Sequence, residues 1–144
     1  MNTVSKRPRI LIIDDDQDMQ IFIATLLKDG GFRPDIADTP ERGLLKARRK
    51  KPSLIIMDIP IPVEKGLTLY QALRMNDSLK EIPVIMISSL EQNTLFQYQS
   101  AAKRLKDQKM EPEAFLKKPL EAEELLTLTR KVLALRQTGS DEEI

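Results

Sequence analysis

Acidic, hydroxyl and ammonium side chains follow four short apolar segments of this sequence, at the points where those segments end. In chain order, the groups are Asp14-Asp15-Asp16, Asp58, Ser88-Ser89 and Lys117-Lys118-Pro119. If the apolar segments are parallel strands of one sheet, their carboxyl ends share one edge, where such sheets bind ligands. The sequence therefore predicts that several acids, a hydroxyl and an ammonium group gather at one site.

Oxygen atoms must supply any metal site in this chain, because the sequence contains neither cysteine nor histidine. Close carboxylates repel one another, so either one of them holds a proton at a raised pKa or a cation neutralises the group. An all-oxygen site suits Mg²⁺, or the similar Mn²⁺. Beside such an ion, a further carboxylate can attack phosphorus and form an acyl phosphate. Lys118 and Ser88 would then bind other phosphoryl oxygens.

Each of these groups also has an ordinary structural explanation. An Asp-rich turn or a pair of serines after a strand often caps the next helix, and adjacent lysines are usually solvated. A lone aspartate before a proline-rich loop is more often part of a turn than of a catalytic site. Their common position at predicted strand ends favours phosphoryl-transfer chemistry over four unrelated features.

The hydrophobic pattern predicts five strands that alternate with helices. Short β-branched runs typical of buried strands cover residues 9–13, 32–37, 54–57, 83–87 and 115–117. Helices are predicted over 17–28, 40–51, 66–76 and 121–136, with a proline-broken loop at 58–65. This alternation predicts an open parallel α/β sheet with helices on both faces. The polar stretch 91–113 is either one helix or a helix followed by a loop.

The length and composition predict one soluble domain. The chain has 144 residues and a net charge of +1, which leaves room for a single core and no strong overall field. No apolar run approaches the ~20 residues of a membrane span, and no secretory signal is visible, so we expect a cytoplasmic protein without a membrane partner. The domain is expected at 9–136, between a flexible N-terminus at 1–8 and a frayed polar tail at 137–144.

Two further features have mainly structural interpretations. Five of the six residues 46–51 are basic, which suits a solvated helix end, and no DNA-reading unit follows, so no nucleic-acid partner is expected. An apolar stripe on the last helix predicts core contacts, and part of it could form a homodimer face. Its members are Leu120, Leu125, Leu128, Val132 and Leu135. Leu126 and Leu133 lie off this stripe and could contact a partner.

The ordered set of motifs resembles the receiver domains of bacterial response regulators, the CheY-like proteins of two-component signalling. The motifs are Ile13 to Asp16, Met57-Asp58 with Pro62 and Gly66, Ile87 to Ser89, and Phe115 to Pro119. The resemblance implies a flavodoxin-like (βα)5 fold, a doubly wound parallel sheet with strand order 2-1-3-4-5. It also implies that a histidine kinase, a histidine phosphotransfer protein or a small phosphodonor supplies a phosphoryl group.

The resemblance implies a phosphoacceptor and its metal ligands. Asp58 matches the phosphoacceptor, and Asp14 and Asp15 match the metal-binding pair, with Asp15 as the direct ligand. The Asp58 carboxylate and the backbone carbonyl of Pro60 complete the protein ligands, since proline lacks only its N–H.

The resemblance also implies a switch that reports the phosphorylated state. Ser88 matches the switch hydroxyl, and Phe115 matches an aromatic ring that packs inward when this hydroxyl turns toward the phosphoryl group. Lys118 matches the lysine of the family pattern, and Pro119 the residue that can follow it through a cis bond. The state would be passed on by contact with a downstream protein, which the motifs do not identify.

Several residues depart from the family pattern. Pro60 and Leu90 stand where polar side chains often influence hydrolysis, so we expect slow self-dephosphorylation. Lys65 replaces an acid that is common before the glycine. The segment 89–114 is longer than usual and lacks the glycine that normally precedes the fifth strand. The surface through which such domains usually signal is therefore altered.

Three functions are compatible with these residues. The first is a stand-alone receiver domain that is switched by phosphorylation and signals through protein contacts. The second is a degenerate receiver that binds partners without cycling phosphate. The third, a Mg²⁺-dependent phosphohydrolase, would need an acid two residues after the nucleophile, where Pro60 stands, so no turnover of free substrates is expected.

Overall fold

The architecture is a single parallel sheet covered by helices, seen in a computed structural model that describes residues 7–59, 63–88 and 114–142. Five strands lie side by side in the order β2-β1-β3-β4-β5. They are β1 (Arg9–Ile13), β2 (Arg33–Ala37), β3 (Leu54–Asp58), β4 (Val84–Ser88) and β5 (Ala114–Lys117). All four pairings are parallel. The predicted flavodoxin-like strand order is confirmed.

Four helices connect or follow these strands in the described part of the chain. They are α1 (Gln17–Asp29), α2 (Pro40–Lys50), α3 (Val63–Arg74) and α4 (Ala122–Glu142). The Thr39 side chain accepts from the backbone N–H of Arg42, which makes Thr39 the N-cap of α2 as predicted. Gly30 caps α1, and Gly31 follows with a φ of 93°, a conformation that glycine adopts without a steric penalty.

Two helices differ from their predicted bounds. Helix α3 begins at Val63 rather than Gly66, so Lys65 is helical and the predicted proline-broken loop is shorter. Pro62 directly precedes this helix in the sequence, and proline is tolerated near a helix start because its missing N–H has no intrahelical partner there. Helix α4 continues past the predicted end at Arg136 to Glu142, through most of the expected frayed tail. Apolar periodicity stops before this end, so the hydrophobic pattern does not indicate the last turns of the helix.

The sheet carries one hydrophobic core on each face. Alternate residues of the buried strands serve the two cores, as the side-chain period of two requires. Leu11, Ile13 and Met57 lie in the core beneath α2 and α3, whereas Ile10 and Ile12 lie in the core beneath α1 and α4. The second core also holds Ile23 and Leu27 of α1, and Leu125 and Val132 of α4.

The leucines of α4 only partly follow the prediction. Leu125 and Val132 are buried, and Leu120 and Leu128 pack against the same core. Leu135 is 64% exposed, so its predicted core contact is wrong. Leu126 and Leu133 pack against this core, so the structure places them within the domain rather than on a partner surface.

The outer edge of β2 is closed by side chains. The N–H of Arg33 donates to Pro8 and the carbonyl of Ala37 accepts from Asp14, so alternate residues of this strand face β1. The backbone N–H and C=O groups of Pro34 and Ile36 therefore point away from β1, toward the open side of the strand. Proline has no N–H to donate there. The Ile36 N–H donates to Asp35 Oδ1 and its carbonyl accepts from Lys46 Nζ. Lys46 and Asp35 also pair at 3.1 Å.

In the described ranges, none of the helices combines the length and apolar character that crossing a membrane requires.

Candidate functional site

Three carboxylates meet at the carboxyl edge of the sheet. Asp14 directly follows β1, Asp15 follows it, and Asp58 is the last residue of β3. Strands β1 and β3 are hydrogen-bonded neighbours, which brings their ends together. One carboxylate oxygen from each of the three residues lies within 4.8 Å of the others. The structure therefore brings together the three acids that the sequence assigned to metal binding and phosphoryl acceptance.

Asp14 is held in place by contacts on both its side chain and its backbone. The carboxylate accepts from the N–H of Asp16 at 2.9 Å, and the backbone N–H donates to Ala37 at 3.1 Å. The backbone carbonyl accepts from the side-chain amide of Gln20 at 2.6 Å. Asp14 is only 3% exposed, so this carboxylate is a buried and positioned group.

Asp16, the third acid of the Asp-rich turn, has a different structural role. The Asp16 carboxylate accepts from the N–H groups of Asp18 and Met19, which makes it the N-cap of α1. The capping explanation thus applies to Asp16, while Asp14 and Asp15 face the cluster. The contact from Gln20 to Asp14 was not predicted, since nothing in the spacing of these two residues signals it.

Burial and nearby negative charge raise the pKa values of Asp14 and Asp58. The pKa of Asp14 rises from 3.8 to about 6, mainly because the carboxyl is buried, with the charge of Asp58 adding to the effect. The hydrogen bond from the Asp16 N–H lowers it in part. Burial also raises the pKa of Asp58, against the lowering effect of Lys118. The charged forms of these two carboxyl groups are therefore less favourable in the folded protein than in water.

Lys118 forms an ion pair with Asp58. Its Nζ lies 3.0 Å from Asp58 Oδ1, and the two side chains are 20% and 15% exposed. Burial lowers the pKa of Lys118, but the hydrogen bond and charge of Asp58 outweigh it and raise that pKa. The backbone N–H of Lys118 donates to Ser88 at 2.8 Å, which ties the end of β5 to β4. The Lys118–Pro119 bond is cis.

The two predicted switch residues lie on adjacent strands. Ser88 ends β4 at the same edge as the acids and is fully buried. Phe115 of β5 pairs with Met86 of β4 and is half-buried against the core beneath α2 and α3. Pro60, Leu90 and the segment 91–113 lie outside the described residues, as does the side chain of Lys65.

A cavity of about 660 Å³ opens beside the acids, between α2 and α3. Its lining includes the three carboxylates and an apolar floor with Met57 and Leu44. Asp38 and Glu41 line it as well, although the end of the second strand was not expected to contribute to the site. Strand β2 lies next to β1, so its following turn reaches the same edge, as the strand order implied by the family resemblance also requires.

The donor set fits a hard divalent cation. Asp14, Asp15 and Asp58 offer only oxygen, and Mg²⁺ binds such oxygens while retaining waters. The raised pKa values of Asp14 and Asp58 also favour a bound cation, because a cation would relieve the repulsion that contributes to both shifts. The residues present therefore could hold such an ion.

Comparisons with known proteins agree with this geometry. A family model described as the response regulator receiver domain matches residues 10–130. The chain is 31% identical, over 88% of its length, to the DNA-binding dual master transcriptional regulator RpaA of Synechocystis, of which it spans 49%. It is 38% identical, over 56% of its length, to the KDP operon transcriptional regulatory protein KdpE of Escherichia coli, of which it spans 34%. The chain thus covers half or less of these two relatives.

A solved structure shows the same fold over nearly its whole length. The chemotaxis response regulator CheY4 of Vibrio cholerae superposes with a TM-score of 0.74 at 25% identity. The match covers 88% of this chain and 98% of that protein. The fold of this chain therefore corresponds to almost the whole of that protein.

Proposed function

The chain belongs to the family of response regulator receiver domains, and we propose that it is a stand-alone phosphorylation switch with Asp58 as the phosphoacceptor. The observation that carries this proposal is the position of Asp58, which lies between the Lys118 ammonium at 3.0 Å and the carboxylates of Asp14 and Asp15. No other described carboxylate has a cation on one side and a potential metal site on the other.

The proposed reaction transfers a phosphoryl group to a carboxylate oxygen of Asp58. A P–Oδ bond forms as the bond from phosphorus to the donor breaks, and the donor leaves as a free histidine side chain or as acetate. Asp14, Asp15, Asp58 and the backbone carbonyl of Pro60 would hold Mg²⁺ or Mn²⁺, which when bound supplies Lewis-acid catalysis and orients the phosphoryl group.

Lys118 and Ser88 would stabilise the phosphorylated state. The Lys118 ammonium can transfer its contact from Asp58 to a phosphoryl oxygen, so positive charge meets the negative charge that arrives. Ser88 ends the neighbouring strand, where its hydroxyl could rotate to donate to a second phosphoryl oxygen. Phe115 would then pack further inward, into the space that the rotating Ser88 hydroxyl leaves. The altered surface would then be recognised by a downstream protein.

The donor would be a histidine kinase or a histidine phosphotransfer protein, and the protein would act in the cytoplasm. Turnover of free substrates is not expected, because the product is a covalent adduct of the chain itself. We also expect the adduct to last minutes or longer, since Pro60 and Leu90 offer no side-chain donor or acceptor to orient a hydrolytic water. Decay within seconds, without a phosphatase, would contradict this expectation.

The test is phosphorylation of the purified chain by acetyl phosphate, followed by intact mass. One added phosphoryl group is expected, dependent on Mg²⁺ and lost in Asp58→Asn. If the folded chain shows no adduct under conditions that phosphorylate a known receiver, the alternative gains support. That alternative is a degenerate receiver that binds partners independently of phosphorylation.

A further inference from the structure

Basic side chains from two strands lie together at the amino edge of the sheet, opposite the acids. Arg9 and Arg33 begin β1 and β2 and are direct partners in the parallel ladder. Leu11 lies two residues after Arg9, and Ala37 lies four residues after Arg33. Both lie in the core beneath α2. Because side chains alternate between faces, Arg9 and Arg33 are on the α2 face as well.

The basic end of α2 reaches the same edge. The N–H of Ser53 donates to the carbonyl of Arg9 at 2.8 Å, so the chain leaving α2 meets the start of β1 directly. Lys46 reaches Asp35 of β2, and Lys50 lies one helical turn further toward the strand's first residue, Arg33. We call the resulting surface the basic edge. It consists of Arg9, Arg33, Arg48, Arg49, Lys50 and Lys51.

The charges of the basic edge are not neutralised by the described residues. No described carboxylate pairs with any of its members, and Asp35 is engaged by Lys46. All of its side chains are exposed except Arg9, which is half-buried. The negative end of the α2 dipole is equivalent to about half a charge, so it accounts for only part of this concentration.

We propose that the basic edge binds the phosphodiester backbone of a nucleic acid without reading its sequence. This differs from the expectation drawn from residues 46–51 alone, because the fold adds Arg9 and Arg33 from two strands. Arginine is well suited to phosphate, since its planar guanidinium donates two parallel hydrogen bonds. No helix or ribbon of the basic edge projects into a groove, so the contacts are with phosphates rather than base edges.

The composition of the surface favours nucleic acid over a membrane or a protein. Stable binding to a membrane surface usually combines basic residues with apolar side chains that insert, and protein interfaces centre on buried apolar or aromatic anchors. The exposed large hydrophobic residues of the described chain are Ile21, Phe22, Leu45, Met75 and Leu135. Only Leu45, one turn before Arg48 and Arg49 on α2, adjoins the basic edge, and a single leucine is a small apolar anchor. Phosphodiester chains are bound by charge alone, as this surface requires.

The arrangement of charge would also orient the protein on such a ligand. Asp15, Glu41 and Asp58 lie at the carboxyl edge, at the far end of the strands from the basic edge. A polyanion is attracted by one edge and repelled by the other. The acidic site would therefore face outward and remain open to a phosphodonor while the basic edge is occupied.

The experiment measures binding of a fluorescent, random-sequence DNA duplex by anisotropy across a series of salt concentrations. The test variant is Arg49→Gln/Lys50→Gln. The matched control is Arg130→Gln/Lys131→Gln, which removes the same two residue types from exposed positions on α4. We expect the test variant to bind about tenfold more weakly at low salt, and its slope of log K against log salt to fall by about two, since each phosphate contact contributes ~0.9. The control should match the original protein.

Three results would overturn the proposal. The first is no binding of the duplex even at low salt, and the second is an equal loss in both variants, which would indicate a response to net charge. The third is tighter binding of phosphatidylserine vesicles or polyglutamate, which would assign the surface to a membrane or an acidic protein. Circular dichroism checks that both variants are folded. Phosphorylation plays no part in the readout, so the result is independent of the proposed switch.

Discussion

The Lys118 ammonium contacts Asp58 directly, with Nζ 3.0 Å from Oδ1, so the proposed nucleophile is already paired with a cation before any phosphoryl group arrives. The contact limits the repulsion between Asp58 and its neighbouring acids. It must also be exchanged when phosphorus bonds to Asp58, because the ammonium can then bind a phosphoryl oxygen instead. The ion pair with Asp58 thus holds Lys118 where it can bind a phosphoryl oxygen once Asp58 is phosphorylated.

Lys118→Met is expected to slow phosphorylation of Asp58 roughly 100-fold, since removing one preorganised donor from a developing oxyanion typically has such an effect. The rate is measured by intact mass after mixing with acetyl phosphate and Mg²⁺. Lys117→Met is the control, because Lys117 is an exposed neighbour. Similar rates in the two variants would show that the ammonium does not assist the transfer.

The stability of the metal-free protein should fall as the pH rises through about 6, the pKa of Asp14. This pKa is raised above the unfolded value of 3.8, so the folded state binds the extra proton more tightly. The stabilisation is complete below the unfolded pKa and is lost as the carboxyl ionises inside the fold. Thermal unfolding in a pH series measures this dependence.

Millimolar Mg²⁺ should reduce the loss of stability above the Asp14 pKa, because the cation replaces the proton as the neutralising charge. Asp14→Asn should weaken both the pH dependence and the response to Mg²⁺, while its amide oxygen can still accept from the N–H of Asp16. A pH profile of Asp14→Asn that matches the original would assign the dependence to another group.

Gly43→Ala should destabilise the protein, although alanine normally stabilises a helix by ~0.5–1 kcal/mol relative to glycine. A β-carbon at this position in α2 would lie 2.6 Å from Ile13 Cδ1. Ile13 Cγ1 would also lie at 2.9 Å from this β-carbon, so more than the end of a buried side chain would have to shift. Overpacking of this kind costs about 1–3 kcal/mol in the free energy of unfolding.

A double-mutant cycle identifies the cause of the Gly43 effect. Ile13→Val removes the closest methyl group, so Gly43→Ala should cost less in that background than in the original protein. Urea denaturation of the four proteins gives the coupling energy. Additive effects would show that contact with Ile13 is not responsible.

Thr129→Val should raise the free energy of unfolding by about 1 kcal/mol, because it removes a polar atom that is buried without compensation. Thr129 is fully buried in α4, and its hydroxyl has no hydrogen-bond partner in the part of the chain that the structure describes. Thr127→Val, at an exposed position of the same helix, should change stability by less than about 0.5 kcal/mol. A loss of stability in Thr129→Val would indicate a partner for that hydroxyl.

The sheet was predictable because its signals are local. Each buried strand reads as a short apolar run, and parallel packing then fixes which residues reach the carboxyl edge. The start of α3 was not predictable in the same way, since a proline in the sequence is compatible with both a loop and the start of a helix. The end of α4 carries no apolar pattern, so its sequence resembles that of a frayed tail.

The grouping of the site's side chains at one edge was predictable, but the separate contacts of each acid were not. Strand ends placed Asp14, Asp15, Asp58 and Lys118 together, yet without the family resemblance the sequence does not distinguish an acid that faces the cluster from one that caps a helix. That distinction depends on side-chain directions at the start of α1, where Asp16 turns toward the helix. The same limit applies to the basic edge, whose strand members are distant in sequence from α2.

The closed border of β2 determines how the molecule can be extended. An open strand edge is a template for another chain, and natural proteins block it with proline and charged side chains. Here Pro34 lacks a donor, and the Asp35–Lys46 pair occupies both polar groups of Ile36. A neighbouring chain could therefore not continue the sheet from this side. As a result, the protein can be crowded at high concentration, or along a polymer, without growing into a continuous β-structure through β2.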